Sequence, residues 1–381
     1  MKIGLVCPYN IARGGGVQEV VRALQAGLID RGHDVVIITP QPREQFEHDG
    51  RRVAFLGTAT DFRSPLHTTA QFSASVITDE IDALLDYEQF DILHFHEPWV
   101  PMLSRQILSR SKAVNVATFH AKLPETLMSR TVARVVTPYT KPLLKYIDEF
   151  TAVSDAAADY LRSLSEDTHI DIIPNGIDLS LYKVPKSVKR KTNKKILFIG
   201  RLERRKGVRY LLQAMQLLEA TEPDAELLIA GDGPDRQKLE EYSKELGLNK
   251  VTFLGFIDES KKLELLQTSD LFCSPALFGE SFGIVLLEAM ASGLVTVAGD
   301  NPGYTSVMQG VGNLSLVNPK DTLEFARRLQ LLLYTEELRT VWKTWAVNYV
   351  QQFDYSKVVD QYEAVYLSAI KRHTKKLAKE A

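Results

Sequence analysis

Short apolar runs alternate with longer stretches of helical periodicity along almost the whole chain. In the first half, residues 2–7, 35–39, 90–96, 114–120, 150–154 and 170–173 are near-continuous apolar runs. Such runs fit parallel strands covered on both faces, whereas a half-solvated sheet would alternate apolar and polar positions. Between the first two lies VQEVVRALQAGLID, in which Val17, Val20, Val21, Leu24 and Leu28 share one helical face. Repetition of this strand–helix–strand unit predicts an α/β fold built on a doubly wound parallel sheet.

The rhythm then breaks and restarts. Residues 183–195, KVPKSVKRKTNKK, carry seven basic side chains, no acid and a proline, a composition suited to a linker and not to a core. Beyond it, strands are expected at 195–200, 226–230, 251–254, 271–274 and 295–298, with helices at 208–220, 235–246, 260–268 and 282–291. The chain therefore reads as two Rossmann-like domains, 1–185 and 193–357. A last helix, at about 358–381, is expected to pack back on the first domain and to end in the solvated, fraying tail KRHTKKLAKEA.

Composition narrows the function classes. A net charge of −2 provides no global field for nucleic acid or an anionic membrane. The two cysteines, Cys7 and Cys273, each sit in an apolar run, as buried thiols of a reducing cytoplasm would. The N-terminal apolar run is too short for a signal peptide, and no stretch approaches the roughly 20 residues of a membrane span. The expectation is a cytoplasmic protein, at most peripheral on the membrane's inner face.

Chemistry-bearing residues collect where strands are expected to end. The first strand leads through Gly14-Gly15-Gly16 into a helix, which suits a phosphate or merely a tight turn. The triplet matches neither the dinucleotide fingerprint nor the Walker loop, so NAD or ATP readings lose ground. The second domain opens with GRLERRKG, placing Arg201 at a strand end and Lys206 just before a helix. A guanidinium fork and an ammonium converging on one crevice suit a diphosphate leaving group, the alternative being an exposed basic turn. Glu280 and Glu288, in FGESFGIVLLE, would lie roughly 12 Å apart along a helix starting near residue 281 or 282. That is too far for an acid–base pair on one bond, but fits two parts of an extended ligand. His94 and His96 share a strand face and are expected at a strand end near the cleft, as is His120. A metal reading would need a third ligand, such as Glu97 or His120. No Asp-x-Asp occurs, so fixed cations are expected to replace a metal's charge role.

These motifs resemble the family 4 glycosyltransferases of GT-B fold, retaining enzymes in which two Rossmann-like domains face a cleft. The resemblance spans nearly the whole chain. Its most specific part is the E-x7-E signature from Glu280 to Glu288, with GRLERRKG, AGDGP and IPNG in support. The segments VCPYN…GGVQ, FDILHFHEP, ATFH, PNGID and GESFGIVLLEAMASG are similar to those of bacterial phosphatidylinositol mannosyltransferases. The resemblance implies a hexosyltransferase that uses GDP-mannose as co-substrate and needs no cofactor or metal. It makes residues 1–185 the acceptor side and 193–357 the nucleotide-sugar side. It assigns the Gly16 amide to the donor phosphate, and Arg201, Arg205 and Lys206 to the pyrophosphate. Glu280, with Ser281, Phe282, Gly283 and Ile284, would hold the sugar, and Glu288 the ribose. Ile257, Asp258, Glu259 and Lys262 would line the nucleotide pocket. His120 would sit beside the reacting carbon, and Tyr9 and Gln18 on the acceptor side. No protein nucleophile is implied.

Two features concern the acceptor. The stretch HTTAQFSASVITDEIDALLD, which corresponds to a basic membrane-docking helix in those mannosyltransferases, carries Asp79, Glu80, Asp82 and Asp86. Arg63 is the nearest candidate to meet an acceptor phosphate. A second basic face is expected from Arg130, Arg134, Lys141 and Lys145, within about 60° on an ideal helix. It could meet an anionic membrane, or be a solvated face interrupted by Pro138 and Pro142. The partners expected are a nucleotide sugar and a lipid-linked or polyol acceptor; no nucleic acid is expected, and no protein partner is inferable. The alternatives are a UDP-sugar transferase with a soluble acceptor, a nucleotide-sugar epimerase, and a non-catalytic sugar-nucleotide-binding module.

Overall fold

The computed structural model describes residues 1–12, 14–42, 50–63, 69–74, 78–100, 102–121, 137–182, 184 and 193–380. The chain forms two compact units, Met1–Gly176 with Tyr355–Ala381, and Ile177–Asp354. The crossing at Gly176–Ile177 comes before the basic segment that composition marks as a linker. An isolated parallel β-bridge between Ile177 and Asp354 brings the two crossings together within the second unit.

The first unit holds an eight-stranded sheet. Its strands are β1 (Lys2–Val6), β2 (Asp34–Gln41), β3 (Val53–Arg63), β4 (Thr69–Ala74), β5 (Ile92–His96), β6 (Val114–Phe119), β7 (Glu149–Ala152) and β8 (Asp171–Ile172). They lie in the order β4-β3-β2-β1-β5-β6-β7-β8, all parallel except for the β3–β4 pair. The reversal of strand order beside β1 makes the C-terminal ends of β1, β5 and β6 the place where an open sheet binds ligands. β1, β5 and β6 are buried almost along their length, which is why they read as unbroken apolar runs. β3 and β4 escape that reading because VAFLGTATDFR and TAQFSA mix polar and apolar positions at a sheet edge.

The second unit holds β9 (Lys194–Ile199), β10 (Ala225–Ala230), β11 (Val251–Gly255), β12 (Leu271–Ser274), β13 (Val295–Gly299) and β14 (Leu316–Val317). Their order is β11-β10-β9-β12-β13-β14, with parallel pairing throughout. Trp342, fully buried on the helix Glu336–Tyr349, donates its indole N–H to Ser315 Oγ at 2.7 Å.

The last helix, Tyr355–Glu380, belongs to the first unit. Val358, Val359, Tyr362, Tyr366 and Ala369 join the core formed by β1, β2 and the helix Gly16–Asp30. Gly27 lets this helix approach closely, since a Cβ there would lie 2.6 Å from Val359 Cγ2. Ion pairs from Arg31 to Asp360 (2.5 Å) and Arg372 to Glu149 (2.5 Å) flank the contact. The helix continues to Glu380, as the expected last helix does, and its described residues from Lys371 on are mostly exposed.

Three expectations are corrected. The acidic stretch is not one helix: among the described residues Thr69–Ala74 is a strand and the helix is confined to Thr78–Glu88. The proposed basic stripe does not run along one α-helix, because Lys141–Tyr146 is a 3-10 helix begun by Pro142. Its three residues per turn void the 100° spacing, and Arg130 and Arg134 lie outside the described residues. The helix after Glu280 starts at Ile284, not at 281 or 282. Among the described residues, no helix is long and apolar enough to cross a membrane.

Candidate active site

In the second unit, β9 leads through Gly200 and Arg201 into a 3-10 turn, Arg204–Lys206. Gly207 closes this turn at φ 71° and opens the helix Val208–Thr221. A side chain is excluded there twice over, by the left-handed backbone and by Pro275 O, which would lie 2.0 Å from a Cβ. The turn is tied to the loop after β12 by Leu277 N–H donating to Arg205 O at 2.8 Å. Two segments distant in sequence are thereby held as one wall.

Charges line that wall. Lys206 Nζ lies 2.8 Å from Glu280 Oε1, and Arg205 Nη1 reaches the same oxygen at 2.5 Å. Arg205 Nε lies 2.7 Å from the buried carboxylate of Glu203. Burial alone would lower the Arg205 pKa, but Glu280 and Glu203 together raise it above its ordinary value. Arg201 is exposed beside this network. Four cations, at 201, 204, 205 and 206, stand against two carboxylates, at 203 and 280, leaving net positive charge at a strand's C-terminal end.

Glu280 is not on the helix but in a turn before it. Gly283, at φ 108°, caps Ile284–Ala291, and a Cβ on it would lie 2.7 Å from the ring of buried Tyr304. The 12 Å axial spacing of the two glutamates therefore does not apply. The turn gives Glu280 to the cations, while Glu288, one face inward on the helix, meets a separate group. Glu288 Oε1 lies 2.7 Å from Lys262 Nζ and accepts from the Tyr182 hydroxyl at 3.1 Å. Lys262 also pairs with Glu259 at 2.8 Å. Burial works against the Lys262 charge, yet Glu288 and Glu259 raise its pKa. Asp258 caps the helix Glu259–Thr268 by accepting from Lys261 N–H at 2.7 Å, and Ile257 is half-buried next to it. Sequence reading missed Glu203 and Tyr182, both of which hold a candidate residue in place. Glu203 lies inside the quoted GRLERRKG motif. Tyr182 adjoins the basic segment and carries no signal.

In the first unit, β1 leads through Cys7 and Tyr9 towards the helix Gly16–Asp30, whose first residue, Gly16, is exposed. Tyr9 is bonded through its carbonyl to Thr39 Oγ1 at 2.8 Å, and Gln18 is buried on the helix's first turn. Burial, and then the nearby Glu97 and Cys7, push the Tyr9 pKa well up. Burial also pushes the Cys7 thiol up to about 12, so it stays protonated. Only the backbone of Arg63 is described, as the last residue of β3.

The histidines divide. His94 is fully buried and is not a cleft residue. Its Nδ1 shares a 2.7 Å hydrogen bond with the Tyr366 hydroxyl, and its Nε2 a 2.6 Å bond with Thr118 Oγ1. It is a satisfied core histidine that receives the last helix. His96, also fully buried, pairs through Nδ1 with His120 Nε2 at 2.9 Å. His120 immediately follows β6, and its backbone N–H donates to Glu97 Oε1 at 2.7 Å. Desolvation pushes His94 and His120 down to about 3 and His96 well below its ordinary value, so all three rings are neutral. Burial raises Glu97 to about 8 despite opposing contacts from the His120 and Ala121 backbone and the Trp99 side chain. Among the described residues, no group of three or more His, Cys, Asp or Glu is placed to hold a metal ion.

Comparison with known proteins agrees with this two-unit arrangement. Residues 183–348 match the family described as glycosyl transferases group 1, and residues 14–181 match glycosyltransferase family 4. The phosphatidyl-myo-inositol mannosyltransferase of Mycolicibacterium smegmatis is 33% identical over 377 residues, spanning 96% of this chain and 93% of that protein. A D-rhamnosyltransferase of Pseudomonas aeruginosa is 29% identical over 60% of each chain. Among solved structures, sucrose-phosphate synthase from Thermosynechococcus elongatus superposes with a TM-score of 0.78 at 21% identity, covering 97% of this chain and 99% of that one. An Anabaena protein solved with UDP and glucose gives 0.75 at 20% identity, covering 97% and 99%. These neighbours share the GT-B fold of paired Rossmann-like domains.

Proposed function

The chain belongs to the family 4 glycosyltransferases, and on that premise we propose that it moves mannose from GDP-mannose, with retention of configuration, to a lipid-linked or polyol acceptor resembling phosphatidylinositol. The observation that carries this reading is the cationic turn Arg204–Lys206 held against Glu280, with the Glu288–Lys262 pair beside it. A diphosphate leaving group gathers two negative charges on one end of the donor, and the Arg201, Arg205 and Lys206 donors answer them. Lys206 keeps two of its three N–H donors after meeting Glu280, so a phosphate oxygen adds to that pair without displacing it. Glu288, fixed by Lys262 and Tyr182, offers its carboxylate to the ribose hydroxyls. Glu280 and the backbone from Ser281 to Ile284 face the sugar.

Fixed cations held in advance supply charge stabilisation without reorganisation, so no metal or other cofactor is assigned. Mannose and the phosphatidylinositol-like acceptor are favoured by the 33% identity to the mycobacterial mannosyltransferase. His120 is read as the group beside the reacting carbon, Gly16 as a contact to the donor phosphate, and Tyr9 and Gln18 as acceptor-side groups.

The test is a donor and acceptor matrix. GDP-mannose and UDP-glucose are each offered with phosphatidylinositol vesicles or a free polyol, in the presence and absence of excess chelator. The expected result is GDP release and an α-linked mannosyl product by NMR, unaffected by chelator. Turnover only with UDP-sugars would replace the donor. A β-linked product would overturn retention, and a manganese-specific rescue would overturn metal independence.

A further inference from the structure

We propose that His96 and Glu97 are positioning residues for His120, His96 by fixing which ring nitrogen carries the proton and Glu97 by fixing the backbone. The proposal rests on the reading of His120 as the group beside the reacting carbon. It begins from an imidazole pair of which the function uses one ring and leaves His96 unused. His96 Nδ1 and His120 Nε2 are 2.9 Å apart, and the two rings stack with centroids 5.1 Å apart and planes 27° from parallel.

Both rings are neutral, so one proton lies between the two nitrogens, and two arrangements are possible. In the first, His120 donates from Nε2 and His96 must carry its own proton on Nε2. That atom is buried and has no hydrogen-bond partner among the described residues. An orphaned buried donor costs about 1–3 kcal/mol. In the second, His96 donates from Nδ1, and its Nε2 is left with only a lone pair, the cheaper deficit. The His120 proton then sits on Nδ1. Asn175 lies beside His120, and its buried Oδ1 makes no hydrogen bond to His120 or to any other group among the described residues, so it is the acceptor left available near that proton. The second arrangement leaves no buried N–H of His96 orphaned. In it His96 Nδ1–H donates to His120 Nε2, and the His120 Nδ1–H is the donor next to Asn175.

Glu97 completes the clamp. It directly follows β5 in a left-handed backbone conformation, φ 52°, that a side chain adopts only when its surroundings impose it. That turn aims its carboxyl at the backbone N–H of His120. Consecutive residues of the HFHEP segment therefore hold one target from two sides. With its Nε2 committed to His96, His120 offers a ligand only the Nδ1–H donor, and acts by position and not as a base.

The full-length protein labelled with 15N-histidine, examined by long-range 1H–15N NMR at pH 7, reads the tautomers directly, with His120→Gln identifying its signals. The expected wild-type state is His120 with its proton on Nδ1. His96→Leu, which cannot donate, should mix or reverse that tautomer and lower kcat roughly tenfold to a hundredfold with GDP affinity unchanged. His96→Asn, which restores an N–H donor, should recover the tautomer and most of kcat. Glu97→Ala should speed hydrogen exchange at the His120 amide, and Glu97→Gln, which still accepts, should not. A wild-type His120 protonated on Nε2, or a tautomer indifferent to the residue at position 96 in whichever variants fold, overturns the clamp. If His120→Gln leaves turnover intact while the tautomer behaves as described, the reading of His120 fails and the clamp survives.

Discussion

The strand-end crevices of the two units handle ionisable groups in opposite ways. In the second unit, Arg205, Lys206, Glu280, Lys262 and Glu288 are joined in ion pairs, and all but the buried Glu288 remain partly open to solvent. In the first, His96, His120 and Glu97 lie buried, and desolvation leaves them neutral. The contrast fits the ligands proposed for each unit. A diphosphate needs full, fixed cations. Positioning of uncharged sugar or polyol hydroxyls needs defined donors and acceptors, which a neutral tautomer provides and a mobile ion does not. The second crevice should therefore fail through lost charge, and the first through shifted pH or lost geometry.

The largest effect should come from removing charge where charge is the device. Arg201→Ala and Lys206→Ala should each weaken GDP binding about tenfold to a hundredfold, since hydrogen bonds to charged groups contribute about 1.5–3 kcal/mol. Calorimetry with GDP measures this, and circular dichroism checks the fold. Unchanged affinity in both variants would remove the diphosphate site and erase the contrast between the crevices.

A smaller and more selective effect separates the glutamates. Glu288→Gln leaves Lys262 in place beside the proposed ribose position, and should weaken donor binding by about tenfold with kcat little changed. Glu280→Gln loosens the two cations that share its oxygen and removes the carboxylate proposed to face the sugar, so it should lower kcat more than donor affinity. Steady-state kinetics in GDP-mannose decide it. Identical profiles for both variants would mean their roles are wrongly divided.

How far these crevices were legible in the sequence depends on the range of the contacts that make them. Strands buried on both faces, such as β1 and β12, announce themselves as apolar runs because the cause, burial, acts residue by residue. The cationic turn was visible too, since Arg201, Arg205 and Lys206 are close neighbours after a strand. Its anchors were not. Glu280 meets Arg205 across 75 residues of sequence, and Tyr182 meets Glu288 across 106. His94 shows the same limit: period two put it correctly on one face with His96, but its partner Tyr366 lies 272 residues away on the returning helix. Nothing local distinguishes a histidine that receives a tyrosine hydroxyl from one that faces a ligand. Strands β3 and β4, the last two at one side of the sheet, were missed for a different reason, because their mixed polarity carries neither strand nor helix period clearly.

The smallest effect expected, and the one that isolates the first unit, is a pH dependence of local stability. His94 titrates near 6.5 when unfolded and about 3 when buried, so the unfolded chain binds a proton that the folded one refuses. Its contribution is full above pH 6.5 and is lost as pH falls towards 3. Between pH 7 and pH 6, one such ring should cost roughly 0.7 kcal/mol, about threefold in the opening equilibrium. Glu97 runs the other way. Its folded value near 8 lies above the ordinary 4.5, so its contribution is full below 4.5 and declines as pH rises towards 8. Hydrogen exchange resolved along the chain, from pH 8 to pH 5.5, distinguishes the two. Strands β5 and β6 should lose protection on the acid side while β9 and β12 change little, after correction for intrinsic exchange rates. His94→Gln should flatten the acid limb by one ring's share, and Glu97→Gln should flatten the approach to pH 8. Equal acid loosening of β9 and β12 would show that the buried imidazoles are not its source, and the distinction between a neutral crevice and a charged one would fall with it.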